Sequence, residues 1–275
     1  MGLEKSRNTL GKDHYRFLYQ TELEREAEWL RRGAAEKANS IETLLTRNAI
    51  APRTILELGC GTGSVITECQ RRRLAAKYIG VDFAPEAIGY LRKHSSGIEA
   101  IQGDITDPAF CIGDTCDVVV LTHVLEHLEQ PAAFLAAMRN SLKPSYAIIE
   151  VPLDDLPIAR MKSVLRDRRA NRAGHVQFFT ANSFERLLHS NGLKVIDRRT
   201  YVPIRDLETI RFLSEKDGAP WRRRLLEIFT SNYLPRIFAP LWKRLYYAHH
   251  AVLCVPDSGQ AVPRRRQVTH RAASG

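Results

Sequence analysis

The chain contains the stretch Glu57-Leu58-Gly59-Cys60-Gly61-Thr62-Gly63-Ser64, at the end of the apolar run Thr54–Leu58 and just before a helical pattern that begins near Val65. A strand, a glycine loop and a helix are therefore expected in succession. Three glycines at alternate positions permit a sharp turn and the close approach of a ligand, and the unpaired N–H groups at the start of a helix favour a negative group. A tight turn in any α/β protein would also contain such a loop.

A dinucleotide site is the main competing interpretation, but its G-x-G-x-x-G pattern would require glycine at the position of Ser64, and it does not call for an acid two residues before the first glycine. Two further acids favour a nucleoside ligand. Asp82 ends the second strand candidate, where its carboxylate could accept from both ribose hydroxyls, and Asp104 follows the third, where it could accept from an exocyclic amine. Since ligands bind at the carboxyl ends of parallel strands, Glu57, Asp82 and Asp104 are expected to converge.

Short β-branched runs alternate with helical patterns between Thr54 and Thr200, which predicts a doubly wound α/β sheet of parallel strands. The strands are predicted at Thr54–Leu58, Tyr78–Asp82, Glu99–Gln102, Asp117–Leu121, Ala147–Val151 and Leu193–Asp197. Asn182 with Glu185 three residues later predicts the start of a helix that Gly192 closes. A last apolar run at Ala251–Val255 predicts an edge strand.

The flanking regions are predicted to be helical. Apolar residues recur at steps of three and four from Leu23 to Leu45, which indicates one or two amphipathic helices with a break at Gly33. The predicted organisation is an N-terminal helical cap at 1–48, an α/β core at 49–200, a basic and aromatic helical insertion at 201–247, the last core strand at 248–256 and a disordered tail at 257–275.

Four ordered motifs carry a resemblance to a known family. They are Ile55–Gly63, Gly80–Ala84, Gly103–Ile105 and Asp117–Leu128. In these motifs the chain resembles the class I S-adenosylmethionine-dependent methyltransferases, in the small-molecule branch that includes ubiquinone and antibiotic-sugar methyltransferases, over roughly residues 35 to 200. The resemblance implies a Rossmann-like, seven-stranded sheet whose last strand, at about Ala248–Val255, is antiparallel and inserted beside strand six.

The resemblance also implies cofactor contacts for S-adenosylmethionine. It assigns Asp82 to the ribose, Phe83 to the adenine ring, Asp104 to the adenine amine, and the glycine loop with Glu57 to the methionine portion. The full expected set is Glu57, Gly59, Cys60, Gly61, Gly63, Asp82, Phe83, Asp104, Ile105 and Thr122. Helices near the N-terminus cover the cofactor in this branch, which brings Tyr15, Tyr19, Arg32 and Lys37 into reach.

Methyl transfer from a sulfonium needs alignment first, and a base only if the acceptor must lose a proton. His123, just after strand four, and His175, in Gly174–Thr180, are the candidate catalytic bases, each set against a loop-anchoring role. His127 is predicted to be structural. No metal is expected, because Glu126 with Asp154 and Asp155 better fits a solvated acidic turn, and His249 and His250 should point to opposite faces of a strand.

Charge is divided unevenly along the chain. Residues 1–159 contain 18 Lys and Arg against 22 Asp and Glu, whereas residues 160–275 contain 23 against 9. The basic half indicates an anionic partner or a solvated surface, and the basic, apolar stretches Leu156–Ala173 and Trp221–Tyr247 suit a membrane surface or an anionic amphiphile as well as a helical cap. The five cysteines lack a CxxC pair and are expected to be free thiols.

These observations favour a methyltransferase that methylates a hydroxyl of a small molecule, such as a sugar, a lipid-linked compound or a secondary metabolite. An RNA methyltransferase and a non-catalytic binding subunit remain alternatives. Expected partners are a small or lipid-linked acceptor and a membrane surface at the basic half, with nucleic acid less favoured and a homodimer left open. The lack of an apolar run of about 18 residues predicts a cytoplasmic protein, with peripheral contact to the inner membrane surface as a further expectation.

Overall fold

Seven strands form one mixed sheet in a computed structural model of the chain, which describes residues 10–107, 110, 112, 116–163, 173–216, 218 and 220–257. The strands are β1 (Thr54–Leu58), β2 (Lys77–Asp82), β3 (Glu99–Gln102), β4 (Val118–Thr122), β5 (Tyr146–Leu153), β6 (Leu193–Tyr201) and β7 (Ala248–Pro256). Their order is β3-β2-β1-β4-β5-β7-β6. The pairs from β3 to β5 are parallel, and β7 is antiparallel to both β5 and β6.

The helices of the described residues follow the same chain order. They are α1 (Gly11–Arg47), α2 (Ser64–Arg71), α3 (Pro85–His94), α4 (Pro131–Leu142), α5 (Pro157–Ser163), α6 (Ala181–Ser190), α7 (Leu207–Lys216), α8 (Trp221–Ile228) and α9 (Leu234–Leu245). A short 3₁₀ turn at Leu125–His127 follows β4, and a π-helical turn at Phe229–Tyr233 joins α8 to α9.

The central strands are buried on both faces, as their continuous apolar runs predict. On one face, Phe134 of α4 and Phe184 of α6 pack against the sheet in the larger core cluster. On the other face, Ile41 and Leu44 of α1 pack with Ile66 of α2. Burying a large aliphatic or aromatic side chain contributes about 1.5–3 kcal/mol to folding. Helices packed on both faces therefore stabilise the strands whose carboxyl ends carry Glu57, Asp82 and Asp104.

The predicted doubly wound, seven-stranded fold is confirmed, and two strand predictions are corrected. The run Ala251–Val255 is not an edge strand, because β7 lies between β5 and β6, as the family resemblance implies. β6 continues four residues beyond the predicted end at Asp197, to Tyr201. A bulge between Val195 and Asp197 interrupts the alternation, and the charged residues after it look unlike a strand, although β7 pairs with them along their length.

Two helix boundaries also differ from the predictions. Gly33 does not break α1, which runs through it and kinks at Glu22 instead. The N-cap of α6 is Thr180, whose side chain accepts from the backbone of Ser183 in a capping box, and not Asn182. Among the described residues the four cysteines are buried and unpaired. Cys111, residues 164–172 of the basic stretch Leu156–Ala173 and nearly all of the predicted tail lie outside the described residues.

The described helices include none that is both long enough and apolar enough to cross a membrane.

Continuity of α1 through Gly33 can be tested by stability measurements. A Cβ at Gly33 would meet nothing within 4 Å, so Gly33→Ala should stabilise the protein by about 0.5–1 kcal/mol in urea unfolding, because alanine loses less backbone entropy in a helix. Gly63→Ala is the opposite control, since Gly63 has φ +80° and its Cβ would collide with Leu91. A loss of stability in Gly33→Ala would show that the helix breaks there.

Candidate functional site

A cavity of about 540 Å³ opens at the carboxyl edge of the sheet, in the size range of small-molecule sites. Glu57, Asp82 and Asp104 all line it, so the convergence that the sequence predicts is present. The cavity extends from these acids to a second half lined by His123, His127, His175, His249, Tyr201 and Tyr247.

Asp82 holds the glycine loop against the end of β2. Its carboxylate accepts the backbone N–H of Gly61 at 2.8 Å and that of Ala84 at 3.0 Å. Gly61 has φ +56°, and a Cβ there would lie 2.6 Å from the Tyr19 hydroxyl, so both the conformation and the space require glycine. Burial raises the pKa of Asp82, although the N–H donors oppose that shift.

Glu57 is buried at the start of the loop. Its carboxylate accepts the N–H of Ile66 at 2.9 Å and the hydroxyl of Thr122 at 3.2 Å. Burial raises the pKa of Glu57 to about 8, although nearby Lys37 and the two hydrogen bonds work against that rise. At neutral pH this side chain is therefore mostly protonated until a positive group enters beside it.

Asp104 forms the far end of the first half of the cavity. It pairs with Lys12, and Thr106 donates to it from its N–H at 3.1 Å and from its hydroxyl at 2.7 Å. Burial opposes ionisation, but these donors outweigh it and lower the pKa of Asp104. The Lys12 ammonium also lies 5.2 Å from the centre of the Phe83 ring, so α1 covers this end of the cavity.

The remaining predicted cofactor residues have different positions. Gly59, Cys60 and Ile105 line the cavity with Phe83 and Thr122. Gly63 lies behind it as the N-cap of α2, with φ +80°. α1 contributes the four residues that the resemblance indicated, Tyr15, Tyr19, Arg32 and Lys37, and also Trp29 and Leu30, which the sequence did not single out.

The second half contains two buried carboxylates on either side of His123. Its Nδ1 lies 3.2 Å from Glu126 Oε1 and its Nε2 lies 3.3 Å from Glu150 Oε1. The Nε2 of His123 also lies 3.2 Å from Nδ1 of His249. Burial alone would raise the pKa of Glu126, but the histidines around it lower that pKa to about 2. The predicted solvated turn is therefore wrong for Glu126, which is fully buried.

His249 extends this cluster through β7. Its Nδ1 lies 3.2 Å from Glu150 Oε1, and its Nε2 lies 3.1 Å from the Tyr247 hydroxyl. The Tyr201 hydroxyl donates to Glu150 at 2.8 Å. Burial lowers the pKa of His249 to about 4, so it is neutral near pH 7. His250 points to the other face and contacts Thr200 and Glu185, as strand alternation predicts.

His175 lies on the other side of the cluster with a carboxylate behind it. Its Nδ1 is 2.9 Å from Asp154 Oδ2, which fixes the neutral tautomer with the lone pair on Nε2. Burial lowers the pKa of His175, but its hydrogen bond to the Asp154 carboxylate and the charge of Glu126 outweigh burial and raise the pKa overall. His127 is buried, packs edge-on against Tyr15 and faces the Gly174 carbonyl at 3.3 Å.

Sequence reasoning missed Glu150, His249, Tyr201 and Tyr247 as site residues. Glu150 stands inside an apolar strand, and its charge there was the one available signal. The donor atoms of His123, Glu150 and His249 lie within 4.8 Å of one another, as do those of Glu126, His127 and His175. Such sets also suit a divalent cation; the expectation of a site without metal stays a prediction.

Residues 16–198 match the protein family described as a methyltransferase domain. The chain belongs to the class I S-adenosylmethionine-dependent methyltransferases. It is 32% identical over 130 residues to the mitochondrial ubiquinone biosynthesis O-methyltransferase of Schizosaccharomyces pombe, a match that covers 45% of this chain and 46% of that protein. It is 31% identical over 157 residues to the ubiquinone biosynthesis O-methyltransferase of Cereibacter sphaeroides, with 54% and 63% covered.

The methyltransferase fold is also found in solved structures. The magnesium protoporphyrin IX methyltransferase of Synechocystis, solved with bound S-adenosylhomocysteine, aligns with a TM-score of 0.54 at 13% identity, over 87% of this chain and 96% of that one. At such identity the likeness shows the fold alone. The chain spans about half to two thirds of the length of the curated relatives it matches.

S-adenosylmethionine is the cofactor of this methyltransferase family, and the residues of the first half fit it. Asp82 offers carboxylate oxygens to a ribose diol, and Phe83 offers a ring for the adenine near Lys12, the partner of Asp104. Glu57 suits the positive end of the methionine portion, whereas Arg32 and Lys37 suit its carboxylate.

We expect Asp82→Asn to weaken S-adenosylhomocysteine binding in calorimetry by at least tenfold, since one lost hydrogen bond to a charged acceptor is worth about 1.5–3 kcal/mol. Asparagine keeps one acceptor oxygen for the loop, so the fold should survive. Glu215→Gln, at an exposed position of α7, is the matched control. Unchanged affinity in Asp82→Asn would contradict the ribose assignment.

Binding should also release a proton from Glu57. With a pKa of about 8 this carboxyl is mostly protonated at pH 7, and the ammonium group of the ligand should lower that pKa. Affinity for S-adenosylhomocysteine should therefore rise between pH 6 and pH 8. Calorimetry in buffers of different ionisation enthalpy measures the release directly, and Glu57→Gln should abolish it. Equal heats in all buffers for the native chain would refute this coupling.

Proposed function

We propose that the chain transfers the methyl group of S-adenosylmethionine to a hydroxyl oxygen of a small acceptor. One cavity carries the proposal. Its first half is lined by Glu57, Asp82 and Asp104, and its second half is lined by His175, whose Nδ1 is hydrogen-bonded to Asp154. The likeness to ubiquinone biosynthesis O-methyltransferases supports oxygen as the methylated atom.

The cofactor, when bound, supplies a methyl group already activated by a sulfonium. The protein then has to align the acceptor oxygen with that methyl and exclude water. Correct alignment alone contributes on the order of 7–11 kcal/mol in well-oriented systems. Tyr15, Tyr19 and Trp29 of α1 line the cavity, and this aromatic wall would help to exclude water.

His175 is the better placed of the two predicted bases. Asp154 holds its Nδ1, so Nε2 can accept the hydroxyl proton as the new carbon–oxygen bond forms. Both ring nitrogens of His123 already lie beside buried groups, Nδ1 beside Glu126 and Nε2 beside Glu150 and His249. We therefore assign His123 to positioning in this mechanism.

Apolar walls favour one acceptor class among those left open. Trp29, Leu30, Val202, Pro203 and Ile204 line the cavity, and the last three directly follow Tyr201, which contacts His249. A polyhydroxylated sugar would leave many of its polar groups unpaired against these side chains. A phenol or another hydroxyl on an apolar body fits them better, and a lipid-linked compound belongs to this class.

The two alternatives make different predictions in one assay. Incubation with labelled S-adenosylmethionine and a panel of phenols, lipid-linked hydroxyls, sugars and RNA should transfer label to a phenol or lipid-linked hydroxyl. Transfer to RNA alone, with affinity that falls steeply as salt rises, would favour the RNA methyltransferase. Cofactor binding without transfer to any member of the panel would favour a non-catalytic binding subunit.

The base assignment predicts a defined pH dependence. His175→Ala should lower turnover by about a hundredfold or more, while S-adenosylhomocysteine binding stays unchanged. Because the base must be neutral and Asp154 raises its pKa, activity should fall as pH drops through that raised pKa. Asp154→Asn removes the raising charge, so the acid limb of the rate profile should move to lower pH.

Two controls accompany this experiment. His189→Ala removes an exposed histidine of α6 and should leave turnover and the profile as they are. Dialysis against a chelator should also leave turnover intact if proton transfer alone is required. A chelated protein that regains its activity only with a divalent cation would contradict the expectation of a site without metal, and an unchanged acid limb in Asp154→Asn would contradict the base assignment.

A further inference from the structure

Exposed apolar side chains are concentrated in one segment of the chain, Trp221–Leu245. Of the twelve large apolar side chains exposed among the described residues, eight lie within its first 21 positions, each between 48% and 68% exposed. They are Trp221, Leu225, Leu226, Phe229, Tyr233, Ile237, Phe238 and Leu241. We call this set the apolar face. Such a concentration of exposed apolar side chains in one segment is typical of an interaction site.

Cations flank the apolar face. Residues 221–245 contain six arginines and lysines and one acid, Glu227, so this segment carries a net charge of +5. Glu227 pairs with Arg223. Among the described residues, no carboxylate is paired with Arg222, Arg236, Lys243 or Arg244. This combination suits an anionic lipid surface. The hydrocarbon of the lipid would bury the apolar side chains, and its phosphates would pair with the basic ones.

The apolar face is tied to the rim of the cavity. Arg205 lines the cavity, and its N–H donates to the carbonyl of Ser231 at 3.1 Å. The side-chain amide of the buried Asn232 donates to the Arg205 carbonyl at 2.7 Å. Ser231 and Asn232 belong to the π-helical turn in the middle of the apolar face. Ile204, next to Arg205, is 46% exposed at the same rim.

We propose that the apolar face docks on an anionic lipid bilayer and holds the cavity rim against it, so that the acceptor enters from the bilayer. Docking itself is independent of the methyltransferase activity, whereas the entry of the acceptor rests on the function proposed above. The acceptor would then carry its reactive hydroxyl on a long apolar chain that stays in the lipid.

Docking is tested with the full chain and sedimented vesicles of phosphatidylcholine, with or without phosphatidylglycerol. The native chain should bind the anionic vesicles, and less so as salt rises. Ile237→Asp combined with Leu241→Asp should lower the partition coefficient at least tenfold. Ile196→Asp, at an exposed isoleucine of β6, should bind like the native chain. Because all three side chains are exposed, the fold should tolerate each change.

Charge is tested separately. Arg236→Gln combined with Arg244→Gln should weaken binding about fivefold for each charge removed. Arg186→Gln, at an exposed position of α6, is the matched control.

Equal binding by the native chain to neutral and anionic vesicles, or none to either, would overturn the proposal. Light scattering tests the alternative that the apolar face binds a second copy of the chain. A dimer that the Ile237 and Leu241 changes dissociate, in a protein that does not bind vesicles, would also overturn the proposal.

Entry from the bilayer is tested with two phenols, one carrying a long alkyl chain and embedded in vesicles, the other lacking the chain and dissolved in water. The Ile237 and Leu241 variant should lose turnover of the embedded phenol and retain that of the soluble one. Equal loss on both would contradict entry from the bilayer. S-adenosylhomocysteine calorimetry separates the two proposals, because vesicle binding without cofactor binding would refute the methyltransferase function and leave docking intact.

Discussion

The carboxylate of Asp82 ties the loop after β1 to the end of β2, and the first half of the site depends on this tie. A loop with glycines at φ +70°, +56° and +80° cannot hold its own conformation, because glycine populates many others. Asp82 accepts hydrogen bonds from the N–H groups of Gly61 and Ala84, which fixes the loop after β1 to the segment after β2. The same buried carboxylate faces the cavity. Its structural role and its predicted role in ligand binding therefore cannot be separated by deletion, and only a substitution that keeps one acceptor oxygen tests binding.

The second half of the site is built by charge compensation in the protein interior. Glu126 and Glu150 are buried on either side of His123, and a buried carboxylate without a cation would be costly. His123 itself has φ +59°, a left-handed conformation that costs a residue other than glycine roughly 1–2 kcal/mol. Glu126, Glu150 and His249 lie against its two ring nitrogens and hold the ring in place. In the proposed mechanism the proton of the acceptor is therefore taken by His175, which Asp154 orients.

Local signals predicted the first half of the site, whereas strand pairing determines the second. The glycine loop, Asp82 and Asp104 could be predicted from the sequence because each lies at the end of a predicted strand or within two residues of it. Glu150 and His249 are 99 positions apart, and only the register of β5 with β7, in which Pro152 pairs with His249, brings their side chains to one face. The continuity of α1 through Gly33 was missed for a related reason, since packing against the sheet overrides the low helix propensity of one glycine.

The topology of the sheet also explains why the helical insertion lies beside the cavity. β6 is antiparallel to β7, which is antiparallel to β5, so β6 runs parallel to β5 and ends at the carboxyl edge. The chain therefore leaves the sheet after Tyr201 and returns at Ala248 on the edge that carries the cavity. Residues 202–247 therefore begin and end at the edge that carries the cavity. In this chain that stretch is basic with an exposed apolar face, which brings the surface most suited to lipid to the rim where, in our proposal, the acceptor enters.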